Sequence, residues 1–418
     1  MILRCIASRL SLLRGCTTTR RAPTSVLRSA GKQMSTMVDH EVLSSVEGGV
    51  GLITLNRPKA LNSLNMNMVT QLRVLLSRWS APASGVDCVV IRGAGDKAFC
   101  AGGDVKTCVL EAEAGNHEGP IEFFAQEYRA NAEIASLPLP YVALLDGIVM
   151  GGGAGVSIHG HFRVATERSV FAMPECAIGL YPDIGASFFL NQLPGRLGMY
   201  LALTGARLQG STLLEAGLAT HYLPSACVHT LPARLVASLA AKPGSHRREL
   251  GTVAGVLSAA QAEAGTPPPG QLSRLLPLLD QHFVYDTVPE IMASLESAAS
   301  KASGENTFAD AFVRDALEAM KRGSPLSQAI TLKLMRRAAH APLRTCLAVD
   351  TLLVSKFVRG DGDFIQGVRS VLIDRGTKPA WKYATSEQVP SAAVEHFFAD
   401  TPFASVQACS PPQATSKL

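Results

Sequence analysis

Tyr141-Val-Ala-Leu-Leu145 runs straight into Asp146-Gly-Ile-Val-Met-Gly-Gly-Gly-Ala-Gly155. Five apolar residues that stop at an Asp-Gly pair read as a buried strand ending in a turn. Glycines after a strand let a ligand approach the backbone closely, and N–H groups at the start of a following helix can meet negative charge. The same order occurs upstream. Cys88-Val-Val-Ile91 is wholly apolar, stops at Gly93 and leads to Lys97-Ala-Phe-Cys-Ala-Gly-Gly-Asp104. Neither cluster has the Lys-Ser/Thr of a P-loop or G-x-G-x-x-G spacing, so a nucleotide-phosphate cradle is not indicated. Taken singly, each cluster reads as a tight turn. Taken together, two such loops can each offer one N–H to the same oxygen, which is an oxyanion hole.

Outward from these units the pattern stays mixed. Gly49-Val-Gly-Leu-Ile-Thr-Leu55 reads as a strand, and Leu64, Met68, Leu72, Leu75 and Trp79 recur at helical spacing. Strands alternating with helices predict an α/β fold of βα-type units with their loops gathered on one side. After about Leu223 helical stretches take over, such as Val228–Ala241 and Thr307–Arg322, separated by the loop Pro267-Pro268-Pro269. The expected organisation is a leader over 1–38, a catalytic core over 39–225, a helical region over 226–400 and a flexible tail over 401–418.

Of 418 residues 47 % are hydrophobic and 17 % charged, which excludes a disordered chain or a coiled coil. The longest apolar stretch, residues 141–158, is broken by Asp146 and by glycines and makes a poor membrane span. The net charge of +5 is concentrated at one end. Residues 1–38 hold seven of the 39 basic residues (Arg4, Arg9, Arg14, Arg20, Arg21, Arg28 and Lys32) and no acid, leaving 32 basic against 34 acidic, a net of −2. Charge therefore gives no reason to expect a nucleic-acid partner. The segment 1–38 has the composition of an organelle transit peptide, which makes the mitochondrial matrix the expected location. Ser416-Lys417-Leu418 is a competing peroxisomal address, alone or as part of dual targeting. Nine cysteines show no C-x-x-C spacing, as expected of free thiols in a reducing compartment.

Asn56-Arg-Pro-Lys-Ala-Leu-Asn62, Ala98-Phe-Cys-Ala-Gly-Gly-Asp104 and Gly147-Ile-Val-Met-Gly-Gly-Gly153, in that order, resemble the crotonase (enoyl-CoA hydratase/isomerase) superfamily. The likeness continues through Phe171-Ala-Met-Pro-Glu-Cys-Ala-Ile-Gly-Leu-Tyr-Pro-Asp183, Leu201-Ala-Leu-Thr-Gly205, Asp363-Phe-Ile-Gln-Gly-Val-Arg369 and Leu372-Ile-Asp374, so it spans roughly residues 45–385. Within the superfamily the details are similar to the 3-hydroxyisobutyryl-CoA hydrolases, the plant-type members included. The resemblance implies a crotonase-like ββα spiral with a helical C-terminal region. It also implies an acyl-CoA substrate whose CoA is no separate cofactor, homo-oligomeric assembly, and thioester hydrolysis in valine breakdown.

It further implies site residues. The oxyanion N–H groups would be those of Gly103 and Gly152, with Gly102 and Asp104 beside them. Lys59 and Ala60 would run along the CoA nucleotide. Hydratases of the superfamily use two glutamates; Gly155 stands where one of them would be, and Glu175 matches the other. Eight residues on, Asp183 stands where hydratases usually have glycine. The pair Glu175 and Asp183 is what the resemblance to the hydrolases requires, one activating water or attacking the thioester, the other holding the substrate hydroxyl or managing the proton. Glu127 matches a substrate-contacting acid. The C-terminal part departs from the family at Gln366, where glutamate is usual, and at Ala380-Trp381, where Lys-Trp is usual. Two alternatives remain at this stage: a hydratase or isomerase, disfavoured by Gly155, and a non-catalytic subunit associated with mitochondrial ribosomes.

Other arrangements fail on the residues themselves. Ser157 with His159 and His161 lacks a G-x-S-x-G elbow and a third metal ligand, so no metal is expected. Cys100 and Cys176 have no cationic partner in their motifs and read as packing thiols. His221 reads as structural.

Overall fold

The computed structural model describes residues 40–241, 249–301 and 307–403. The expected leader, the tail beyond residue 403 and the Ser-Lys-Leu end lie outside the described residues. Thr401 and Phe403, at the start of the expected tail, are buried.

Among the described residues ten strands form two sheets. The larger has the order β1 (Val42–Glu47), β2 (Val50–Leu55), β3 (Cys88–Gly93), β5 (Tyr141–Leu145), β7 (Phe162–Ala165) and β10 (His221–Tyr222). The smaller has the order β4 (Ala98–Cys100), β6 (Ile148–Met150), β8 (Val170–Ala172) and β9 (Leu208–Gln209). Apart from the β1–β2 and β8–β9 pairs, neighbours run parallel. The chain therefore passes repeatedly from a strand of the large sheet to one of the small sheet and then to a helix or turn, which is the expected ββα spiral. Residues Val89–Ile91 of β3 and all of β5 are buried, so these strands read as continuous apolar runs without alternation.

The predicted amphipathic helix is Met66–Ser80, with Met68, Val69, Leu72, Leu76 and Trp79 buried. Leu64 is not part of it. Asn65 caps the helix by accepting the Met68 N–H at 2.9 Å, which leaves Leu64 extended and bridged to Gly103. The stretch Val228–Ala241 is two helices, Ser225–Val228 and Leu231–Ala240, because Pro232 starts the second. Thr307 caps the helix Phe308–Arg322 rather than joining it.

The C-terminal helices share a hydrophobic core with the spiral. Helix Leu343–Val358 packs along helix Glu118–Ala135, and helix Pro325–Arg337 packs on helix Leu197–Thr204.

Candidate active site

Two loops leaving the small sheet build the floor of the site. The bridge between Leu64 and Gly103 uses the Gly102 carbonyl, which accepts the Leu64 N–H at 2.8 Å, and the Asp104 N–H, which donates to Leu64 at 2.7 Å. That pairing turns the amide of Gly103 itself to the other side, where it meets no acceptor among the described residues. The second loop begins at Gly151, whose φ of +45° with ψ −122° suits only glycine. Gly152 follows as the first residue of helix Gly152–Ile158, so its N–H also lacks a helical partner. The two amides are neighbours: a Cβ on Gly152 would lie 3.2 Å from the Gly103 nitrogen and would collide with Oε1 of Glu127. A side chain at Gly152 would therefore have to move the Glu127 carboxyl group aside.

Three carboxylates stand over this floor. Glu127, on helix Glu118–Ala135, reaches between the loops, with Oε1 towards Gly152 and Oε2 towards Gly103. Glu175 opens the 3₁₀ turn Glu175–Ile178, and its Oε1 would lie 2.9 Å from a Cβ on Gly151. Asp183 accepts a hydrogen bond from the Tyr128 hydroxyl at 2.7 Å. The three are only 2 %, 6 % and 3 % exposed, so none is a solvated surface acid. Burial raises Glu127 well above the ordinary carboxylate range, and the charge of Asp183 adds to it. Glu175 is raised likewise, first by burial and then by Asp183. Burial pushes Asp183 up to about 6 although Tyr128 and its own backbone N–H pull it down. Oε1 of Glu127 and Oε2 of Glu175 have no hydrogen-bond partner, and both residues line a cavity of about 1170 Å³.

All nine residues singled out in the sequence line that one cavity: Lys59, Ala60, Gly102, Gly103, Asp104, Glu127, Gly152, Glu175 and Asp183. Asp104 is already committed, since Oδ2 pairs with Arg57 at 3.0 Å, and Arg57 also bonds the Ser63 carbonyl and Glu41. Its visible task is to fasten the Lys59–Ala60 loop to the glycine loop. Asn62 completes that fastening: it takes φ +57° and donates to the Ala94 and Ala98 carbonyls while accepting the Arg57 N–H. Asparagine tolerates this backbone conformation better than most residues.

Gly155, the vacant hydratase position, is closed in. A Cβ there would meet the Asn131 amide at 2.9 and 3.0 Å and Cβ of Ile184 at 3.2 Å. Ser157 donates to the Gly153 carbonyl, His159 bonds the Ile184 carbonyl, and burial pushes Cys100 and Cys176 up to about 12. His221 sits in β10 with Nδ1 2.9 Å from the Thr220 hydroxyl. Sequence reasoning missed Tyr128, although it directly follows Glu127, and missed Asn131 one helical turn further on.

Two unengaged amides side by side beneath buried carboxylates are an arrangement suited to polarising a carbonyl and moving protons around it. The chain belongs to the enoyl-CoA hydratase/isomerase family, whose model matches residues 50–398. Several curated relatives are named 3-hydroxyisobutyryl-CoA hydrolases. The one numbered 1 from Arabidopsis thaliana is 38 % identical over 360 residues, covering 86 % of this chain and 91 % of that one. The mitochondrial one from Homo sapiens is 39 % identical over 360 residues, covering 86 % and 88 %. Among solved structures, an enoyl-CoA hydratase from Rhodobacter sphaeroides matches with a TM-score of 0.74 at 35 % identity, covering 86 % of this chain and 97 % of that one. A carnitinyl-CoA dehydratase from Mycobacterium thermoresistibile matches with a TM-score of 0.76 at 35 % identity, covering 89 % and 99 %.

Proposed function

We propose that the protein hydrolyses a short 3-hydroxyacyl-CoA thioester, 3-hydroxyisobutyryl-CoA in the first place, to the free acid and CoA. The observation that carries this reading is the exchange of acids around the glycine helix. Asn131 and Ile184 close the space at Gly155, while Asp183, held by Tyr128, supplies the second carboxylate from another loop. The thioester carbonyl oxygen takes the Gly103 and Gly152 amides. Glu175 activates water or attacks the carbonyl carbon itself, and Asp183, ionised at the outset, takes the proton that the water gives up and returns it to the CoA sulfur as that leaves. Glu127, unpartnered at Oε1, accepts the substrate hydroxyl. Lys59 and Ala60 flank the CoA at the cavity mouth.

Release of free CoA from 3-hydroxyisobutyryl-CoA, with no hydration of crotonyl-CoA, is the expected result. Hydration without CoA release would move the protein to the hydratases, and silence on both substrates would favour the ribosome-associated subunit.

We further propose a mitochondrial location. The vertebrate relatives are named mitochondrial, and residues 1–38 carry seven basic residues and no acid. Import that survives loss of residues 1–38 but fails without Ser416-Lys417-Leu418 would assign the peroxisome instead. Among the described residues no helix is long and apolar enough to cross a membrane.

A further inference from the structure

Directly after Asp183 the backbone takes a course that its residues resist. Ile184 has φ +54° and Gly185 φ +74°. Glycine adopts this region freely, but a β-branched residue there is a genuine outlier, kept only where the surroundings impose it. Two side chains impose it here. His159, at the C-terminal end of helix Gly152–Ile158, lies with Nε2 2.8 Å from the Ile184 carbonyl. Burial lowers its pKa to about 4, so the ring is neutral, and the carbonyl can only accept; Nε2 therefore carries the proton and donates.

Asp350 Oδ2 accepts the Gly185 N–H at 2.7 Å. The Tyr181 hydroxyl donates to the Asp350 backbone carbonyl, also at 2.7 Å. The chain is thus tied to one residue of helix Leu343–Val358 both two residues before and two residues after Asp183. Asp350 is fully buried and does not line the cavity, and its Oδ1 has no partner. Burial, and after it the charge of Asp183, raises its pKa well above the carboxylate range. A buried carboxyl group is costly to keep, and its one hydrogen bond goes to the turn that follows the second carboxylate.

We infer that Asp350 is a positioning residue for hydrolysis: from the C-terminal helices it clamps the left-handed Ile184–Gly185 turn and so sets where Asp183 points. The inference rests on the reading of Asp183 as the second carboxylate, and Asp183→Asn is therefore measured alongside. Asp350→Asn keeps an oxygen acceptor for Gly185. Asp350→Leu keeps the bulk and removes the acceptor.

With 3-hydroxyisobutyryl-CoA, Asp350→Leu should lower kcat by about a hundredfold, the cost of a small misplacement at a reacting group. KM and inhibition by free CoA should change by less than about threefold, because the clamp does not touch the ligand. Asp350→Asn should stay within about threefold of the wild type in kcat, since the hydrogen bond survives. Equal kcat values for the two variants, whether both intact or both impaired, would overturn the clamp. So would a fall of more than about tenfold in Asp350→Asn with CoA inhibition intact, because the acceptor is still present; this arm decides even if Asp350→Leu does not fold. Full activity of Asp183→Asn would instead overturn the reading of the reaction.

Discussion

Gly152→Ala is expected to lower kcat by at least about 10³, the upper range for loss of one oxyanion donor. Two effects combine. The new methyl group would collide with Oε1 of Glu127 and approach the Gly103 nitrogen to 3.2 Å, so it intrudes between the two donors. Relief then requires either the helix start to retreat, which moves the Gly152 N–H, or Glu127 to swing away, which disturbs a second proposed substrate contact. Fold and CoA binding should survive, because the change lies at the cavity floor and Lys59 and Ala60 stand on another loop. Steady-state hydrolysis together with inhibition by free CoA checks this. A variant that keeps more than about a hundredth of the wild-type kcat would sink the assignment of the oxyanion site, since about 10² is the least that losing such a donor costs.

Asp183→Asn is the second large effect, with an expected loss of about 10²–10⁴ in kcat, and it carries a pH signature. Burial holds Asp183 at about 6. Since the ionised form takes the proton, wild-type kcat/KM should fall as pH drops through that value. Glu175 and Glu127 are raised as well and interact with Asp183, so the descent reports the group of carboxylates as a whole. Asparagine still accepts the Tyr128 hydroxyl, which makes the substitution gentle on the structure, and the residual activity should lose the part of the descent that Asp183 contributes. A pH profile identical in both proteins would assign the acid limb to other groups.

Much of this site was legible in the sequence because glycine and carboxylate motifs report chemistry locally. Gly102, Gly103 and Gly152 stand beside strand ends, and the strand signals for β3 and β5 came from unbroken apolar runs. Glu175 and Asp183 lie eight residues apart in one segment, so a linear pattern suffices to pair them. What escaped was contact between distant segments. Nothing near Asp350 announces that its carboxyl meets Gly185, 165 residues earlier. Tyr128 looks like any aromatic residue of an amphipathic helix until Asp183 is placed against it. Leu64 was misassigned because its spacing continues the apolar face of the next helix, whereas the Asn65 cap and the bridge to Gly103 separate it. The visible role of Asp104 is similarly non-local, since its partner Arg57 belongs to a loop 47 residues away.

The enclosure of Gly155 bears on how such enzymes can change over evolutionary time. A glutamate at that position would have to displace both the Asn131 amide and the Ile184 side chain, and Ile184 belongs to the turn that follows Asp183. A single substitution to glutamate there would therefore disturb the turn that follows Asp183. Passage between the two chemistries on this scaffold requires linked changes on three segments, with an intermediate that serves neither reaction well. The two activities are separated by packing as much as by the identity of their acids.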